Sequence, residues 1–333
     1  MVSVVCAVFN EENYIEGSIL SLIQQDYPKD NLELIFADGL STDKTRTIIL
    51  QYASCYPWIK MIDNPKKIVP AGLNLAIQQS KGEYVIRIDG HATYPSNYLS
   101  QLVFFLDKLD ASNVGALIHT LPGNHSLTAR AIAASMKNPF CVGNSTFRVG
   151  TNKIQKVDTV PFGCFRRSLF DQIGFFDEDL IRNQDDEFNG RIIKNGGSIY
   201  VLPHLSIDYY ARGTLKKVSA MFFQYGLFKP LVNKKLGFPA TLRQLFPLVF
   251  CLSLLGALLV GLFSPWGIAL LGFLLLLHVC VGLFFSWFFH APGEVVGLMV
   301  ITYLVIHISY GVGYLKGMGF ILLSKKLNVS ITR

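Results

Sequence analysis

The stretch VIRIDGHATY, residues 85–94, sets Asp89 and His91 two residues apart directly after an apolar run. A carboxylate and an imidazole at that spacing can share one metal ion, or they can be ordinary polar residues at a strand end. Other uncommon polar residues also follow apolar runs. Asn10, Glu11 and Glu12 come after VSVVCAVF, and Asp38 closes LELIFAD. A further acidic group, Asp185, Asp186 and Glu187, lies within NQDDEFNGRI.

The elements that must position these residues alternate in type. VSVVCAVF, LELIFAD, IKMID and EYVIRIDG have the continuous apolar character of buried strands. Between them, NEENYIEGSILSLIQQ, STDKTRTIILQYAS and VPAGLNLAIQQS carry helical spacing, the second with Ser41 or Thr42 as N-cap, the third opened by Pro70. This order predicts an α/β fold with a parallel, doubly wound sheet and its ligand at the strand carboxyl ends. No G-x-G-x-x-G follows the first strand, so a dinucleotide reading loses its main support. From 119 to 160 the pattern breaks down around one helix, LTARAIAASM, and reads as a long functional loop. NGGSIYVLP then supplies a helix end and a fifth strand.

The second half has a different solvent. No Asp, Glu, Lys or Arg stands between Arg243 and Glu294, and the next charge is Lys316. Such a stretch must satisfy its backbone inside a bilayer, with spans at about 245–263, 267–289 and 295–315 and a turn at SPWG. Seven basic and no acidic residues from Arg212 to Arg243 equal the net charge of +7. Beside a membrane span, this block marks the cytoplasmic side and draws anionic lipid, which argues against nucleic acid as a partner. Within it LKKVSAMFFQYGLF, with Leu215, Val218, Phe222 and Tyr225 on one face, reads as an interfacial helix, with a plain core helix as the alternative. MVSVVCAVFN is no signal peptide, and six cysteines without CxxC pairing fit a reducing compartment. The sequons at Asn124, Asn144 and Asn328 then carry no meaning. The expected division is a cytosolic domain at 1–210, a basic interfacial segment at 211–243, about three transmembrane helices at 244–323, and a basic tail at 324–333. One conflict remains: three full spans would carry Lys325, Lys326 and Arg333 outside, against the positive-inside tendency, so one segment, the third before the others, also reads as re-entrant or interfacial.

The motifs in order, VSVVCAVFNEENYIEGSILSLIQQDYP, LIFADGLSTDKT and GEYVIRIDGHA, resemble the inverting glycosyltransferase family 2 and its GT-A nucleotide-sugar fold. VPFGCFRRSLFDQIGFFDE, NQDDEFNGRI and QYGLFK resemble its membrane-anchored bacterial exopolysaccharide members, succinoglycan-type glucosyltransferases above all. The resemblance covers residues 1 to about 230.

It implies a nucleotide-diphosphate sugar donor, with Asn10, Glu11, Glu12, Asp38 and Asp43 near the nucleotide; first-turn charge on a helix is the plainer reading of Asp43. The family's Asp-x-Asp metal motif falls on Asp89-Gly90-His91, so imidazole replaces the second carboxylate. Hard oxygen ligands suit Mg²⁺ and imidazole suits a transition ion, which shifts the expectation towards Mn²⁺. The family's Glu-Asp pair, aligned on Arg191, falls on Gln184-Asp185, making Asp185 the expected base with Asp186 and Glu187 nearby. Weaker expectations for acceptor or phosphate contact are Gly163, Arg166, Arg167, Asp186, Arg212 and Gln224. The Gln-x-x-Arg-Trp motif of processive synthases is absent, since Gln224 is followed by Tyr-Gly-Leu. The expected activity is metal-dependent, non-processive transfer, from a UDP-hexose for preference, to a polyprenyl-pyrophosphate-linked acceptor at the inner face of a bacterial plasma membrane. A transferase making polyprenyl-phosphate sugar and a non-catalytic nucleotide-sugar-binding subunit are the alternatives.

Overall fold

The computed structural model describes residues 1–239 and 241–323, so the basic tail expected at 324–333 lies outside the described residues. The chain forms two compact units. The first comprises Met1–His119 and Gly150–Tyr209, the second Thr120–Val149 and the residues from Tyr210 onward. Residues 120–149, counted with the N-terminal domain in the sequence division, thus group with the C-terminal helices.

The first unit opens with β1 (Val2–Val8), α1 (Ile15–Ile23), β2 (Leu32–Asp38), α2 (Thr45–Cys55), β3 (Ile59–Asp63), α3 (Val69–Gln79) and β4 (Tyr84–Ile88). There follow β5 (Ala92–Thr93), α4 (Tyr98–Lys108) and β6 (Asn113–Leu121). After the excursion through α5 (Leu127–Ser135), α6 (Pro139–Val142) and α7 (Thr146–Val149) come β7 (Gln155–Lys156), β8 (Gly163–Arg166), α8 (Arg167–Ile173), α9 (Gln184–Lys194) and β9 (Ile199–Tyr210). Val2, Val4, Val5, Cys6, Leu34, Ile35, Phe36, Val85 and Ile86 are all buried, as continuous apolar strands covered on both faces should be.

The sheet runs β3-β2-β1-β4-β8-β6-β9-β5, with β7 on β9. Only its first four strands are parallel. β8 is antiparallel to β4 and β6, and β9 to β5 and β7, so the sheet is mixed, not the parallel one expected. The reason lies in pairing across long sequence separations. β8 is four residues long and meets β4 with Tyr84 opposite Arg166 and Ile86 opposite Cys164, which no local periodicity reveals. The N-cap of α2 is Lys44, not Ser41 or Thr42, because Ser41 bonds Asp38 and Thr42 bonds Asn10.

The second unit replaces the expected long loop with α5 to α7, Ser126 capping α5 by accepting from the Ala129 N–H at 3.1 Å. It continues with α10 (Leu215–Leu236), α11 (Phe246–Gly261), α12 (Pro265–Phe288) and α13 (Val296–Leu322). Its core gathers Ile132 and Met136, Val218, Met221 and Phe222 of α10, and Met299, Tyr303 and Ile306 of α13. The apolar face of α10 expected to meet lipid is therefore spent inside the protein. Three helices are long and apolar enough to cross a membrane: Leu242–Gly261, Pro265–Phe288 and Gly293–Leu322. Ser264 and Pro265 of the SPWG turn start the second of them, as N-cap and first residue.

Candidate active site

Asn10, Glu11, Glu12, Asp38, Asp43, Asp89 and His91 lie at the carboxyl ends of β1, β2 and β4. Asn10 ends β1 in the left-handed region (φ 54°), which its short polar side chain tolerates. The turn is pinned to the loop after β2. The Asn10 N–H donates to Ser41 Oγ at 2.9 Å, the Glu11 N–H to Thr45 Oγ1 at 2.7 Å, and the Thr42 N–H to Asn10 Oδ1 at 2.9 Å. Glu12 and Asp43 tie the same two loops, the Glu12 N–H donating to Asp43 Oδ2 at 3.2 Å and the Lys44 N–H to Glu12 Oε2 at 3.1 Å. Burial works against ionised Asp43, but the Thr45 hydroxyl and N–H and the Glu12 N–H outweigh it and lower its pKa.

Asp38 has no exposed side-chain surface. It accepts from the Ser41 hydroxyl at 2.6 Å and from Arg46 Nη1 at 2.6 Å, and Arg46 also reaches Asp63 at 2.8 Å. Asp38 thus braces the loop from within.

Glu11, expected to meet the nucleotide, joins Asp89 and His91 in one cluster whose ligand atoms lie within 4.8 Å of one another. His91 Nδ1 is 3.0 Å from Asp89 Oδ1 and 3.3 Å from Glu11 Oε1. Its Nε2 is buried without a hydrogen-bond partner among the described residues. Burial opposes a charged imidazole, but Asp89, Tyr209 and Glu11 prevail and raise its pKa. Two carboxylates and an imidazole nitrogen fit a divalent cation of the Mn²⁺ type, in which the ion takes the place of that proton. The cluster is held by aromatic rings: Tyr209 lies 4.9 Å and Tyr14 6.4 Å from the His91 ring, and Tyr94 Oη accepts from the Asp89 N–H at 2.8 Å.

The three acidic residues opening α9 have different partners. Glu187 is locked to Arg191 by two bonds of 2.7 and 2.9 Å, and Asp186 accepts from Thr159 at 3.3 Å. Asp185 alone is paired with β4, its Oδ2 3.3 Å from Arg87 Nη1. Burial pushes the Asp185 pKa up; Arg87 pulls against this, and Asp186 adds to it, leaving it raised. Arg87 also bonds the Pro161 carbonyl and lies 5.1 Å from the Phe162 ring centre. Being two residues before Asp89, it shares the β4 face that points towards the cluster of Glu11, Asp89 and His91.

The weaker expectations fall elsewhere. Arg166 pairs with Asp107 at 2.6 Å, and Arg167 bonds the carbonyls of Ile77 and Ser80. Both are opposite or beyond Tyr84, at the end of β4 remote from Asp89. Gly163 is not an opening for a ligand: a Cβ there would overlap the Asn113 amide. Arg212 and Gln224 belong to the second unit, Gln224 buried on α10. Sequence reasoning missed Arg87, Tyr94 and Tyr209. A lone arginine in an otherwise apolar strand was the legible sign of the first; the tyrosines gave none.

Residues 3–174 match the sequence model of Glycosyl transferase family 2. The chain is 30% identical over 269 residues to a Methanococcus voltae protein, dolichyl N-acetyl-α-D-glucosaminyl phosphate 3-β-D-2,3-diacetamido-2,3-dideoxy-β-D-glucuronosyltransferase, covering 78% of this chain and 82% of that one. It is 31% identical over 259 residues to succinoglycan biosynthesis protein ExoA of Rhizobium meliloti, covering 77% of each. Among solved structures, a Pyrobaculum calidifontis mannosyltransferase in complex with GDP-Man and Mn²⁺ superposes with a TM-score of 0.58 at 18% identity, over 95% of this chain and 86% of that one.

Proposed function

The chain belongs to glycosyl transferase family 2, and from that premise we propose that it is a metal-dependent, inverting transferase adding one sugar to a lipid-linked acceptor at a membrane surface. The observation that carries this is the site's division of labour: a cation cluster of Glu11, Asp89 and His91 on one side, a carboxylate of raised pKa, Asp185, on the other, joined through β4 by Arg87.

The donor is a nucleotide-diphosphate sugar, a UDP-hexose for preference. The joined loops of Asn10 to Glu12 and Asp38 to Asp43 receive its base and ribose. Glu11, Asp89 and His91 would hold a divalent cation, which would supply positive charge against the departing diphosphate. Asp185 takes the proton of the acceptor hydroxyl as that oxygen bonds the anomeric carbon and the bond to the diphosphate breaks on the opposite face. Arg87 orients the Asp185 carboxylate and keeps it ionised. Burial supplies the raised pKa that a useful base needs near neutral pH.

The acceptor is proposed from two supports. The M. voltae relative is named for transfer onto a dolichyl-phosphate-linked sugar and the R. meliloti relative for succinoglycan biosynthesis, and this chain carries long apolar helices beyond its catalytic unit. A polyprenyl-pyrophosphate-linked oligosaccharide at the cytoplasmic face of a plasma membrane fits both. The departure from the processive Gln-x-x-Arg-Trp motif favours one addition per encounter.

The test is transfer of labelled sugar to lipid in membranes holding the full chain, with a panel of UDP- and GDP-sugars, with Mn²⁺ or after chelation. Metal-dependent transfer from one donor, lost in Asp185→Asn, is the expected result. No transfer from any donor, with acceptor lipid shown to be present, would overturn the reading.

A further inference from the structure

We propose that α13 does not cross the membrane: it lies along the membrane surface beside α10, and among the described residues α11 and α12 alone form a membrane-crossing hairpin. The inference rests on the membrane anchoring proposed above and on nothing about the reaction.

The first observation is how α13 is bound to α10. A Cβ on Gly226 of α10 would overlap the Tyr310 carbonyl; one on Gly313 or Gly317 would overlap the Phe223 or Leu227 carbonyl. The two helices meet backbone to backbone, which small residues alone permit. Ser219 bonds Ser309 at 2.8 Å and Asn233 bonds Tyr314 Oη at 3.0 Å, so the contact follows α10 for most of its length. Yet α10 is not a spanning helix. It carries Lys216 and Lys217 at one end, Lys234 and Lys235 at the other and Lys229 between, and is not among the helices apolar enough to cross. A helix fused to it along this seam shares its depth.

The second observation is the first half of α13. Met299, Tyr303 and Ile306 pack into one core with Ile132 and Met136 at the end of α5 and with Val218 and Phe222 of α10. α13 therefore buries residues from Met299 to Gly317 on α5 and α10, while Tyr303, His307 and Gly311 on the same side also meet α12 and α11. By the most apolar window of each helix, 39% of the α13 window is buried, against 17% for α11 and 11% for α12. α11 and α12 touch α13 near its middle: Cys251 Sγ faces the His307 and Ile308 carbonyls, and His278 bonds His307 at 2.9 Å. Beyond that, Leu255, Leu258, Phe263, Trp266, Phe273 and Leu276 project unburied, as lipid-facing residues do.

The third is what α13 leaves exposed. Ile301, Ile308 and Val312 fall on one narrow stripe at helical spacing, opposite the buried Met299, Tyr303 and Ile306. An apolar stripe on a helix otherwise packed on protein suits a helix half-sunk in the interface. The interfacial role read from sequence for α10 thus passes to α13. With two crossings instead of three, the C-terminal end of α13 lies on the side from which α11 enters, the side of the basic block from Arg212 to Arg243.

The experiment places a protease-cleavable epitope in the full chain at one of three points: before Met1, between Phe263 and Ser264, or after Arg333. Each version is digested in right-side-out and in inverted vesicles. The expected result is cleavage of the first and third tags from one side and of the middle tag from the other. Cleavage of the third tag with the middle one overturns the proposal. If all three are cut from one side, neither α11 nor α12 crosses, which overturns it together with the membrane premise. Spin labels at Ile301, Ile308 and Val312 then read depth. Equal depth supports a flat helix; a spread approaching the rise of about 16 Å between residues 301 and 312 shows a crossing or re-entrant one and overturns it.

Discussion

Asp185 is the carboxylate proposed above as the base, and its environment makes a signed prediction. Its pKa is raised above the ordinary aspartate value by burial, and Arg87 lowers it part of the way back. A base must be ionised to act, so kcat/KM should fall as pH drops through that raised pKa, an acid limb lying above the usual carboxylate range. Arg87→Gln removes the lowering influence and should move the limb to still higher pH. A limb that stays put when pH profiles of the two enzymes are compared would exclude Arg87 from this role. At the cation cluster, Glu11→Gln removes one of two carboxylates facing His91 Nδ1. The Mn²⁺ concentration for half-maximal activity should rise at least about tenfold, by analogy with the loss of a ligand's supporting group. An unchanged half-activation point would take Glu11 out of the ligand set.

Among the elements, β4 does the positioning, because Arg87 and Asp89 alternate onto one face while Ile86 and Ile88 stay in the core. Across from it, α9 must bring Asp185 within reach, and a chain of amides holds that helix. Asn113 of β6 donates to Asn189 of α9 at 2.8 Å, and Asn189 donates to Thr159 at 2.8 Å and to the Val160 carbonyl at 2.9 Å. Gly163 of β8 lies directly under Asn113. A methyl group there must displace a buried hydrogen-bonded amide, so Gly163→Ala should destabilise the protein by roughly 1–3 kcal/mol. Thermal unfolding in detergent checks this; an unaltered melting temperature would mean that Asn113 yields without cost. The glycine that looked like an access point for ligand acts instead as a spacer in the frame behind the base.

At the scale of the molecule, two units of different composition share one chain. The first has both faces of its central strands covered and collects its polar residues at their carboxyl ends, as open α/β sheets do. The second takes a helical excursion from the middle of the chain, residues 120–149, and packs it on helices from beyond residue 210. Contacts within each unit therefore join segments far apart in sequence, which is why a division drawn along the sequence at residue 210 assigned that excursion to the first domain.

What the sequence determined by itself was whatever depends on local pattern. The four parallel strands, their helices and the apolar stretch after Arg243 follow from runs and spacing that any short window contains. Asp89 and His91 were legible because a strand end fixes where its next residues go. Tertiary structure alone decided the rest, because it depends on which distant segments meet. The antiparallel entry of β8, the arrival of Glu11 beside His91 and the pairing of Asp185 with Arg87 join positions about 80 to 100 residues apart. The fate of the third apolar helix belongs there too. Composition marks it as able to cross, and its glycine seam with α10 shows the surface it packs on, since a helix's depth is set by its neighbours as much as by its own hydropathy.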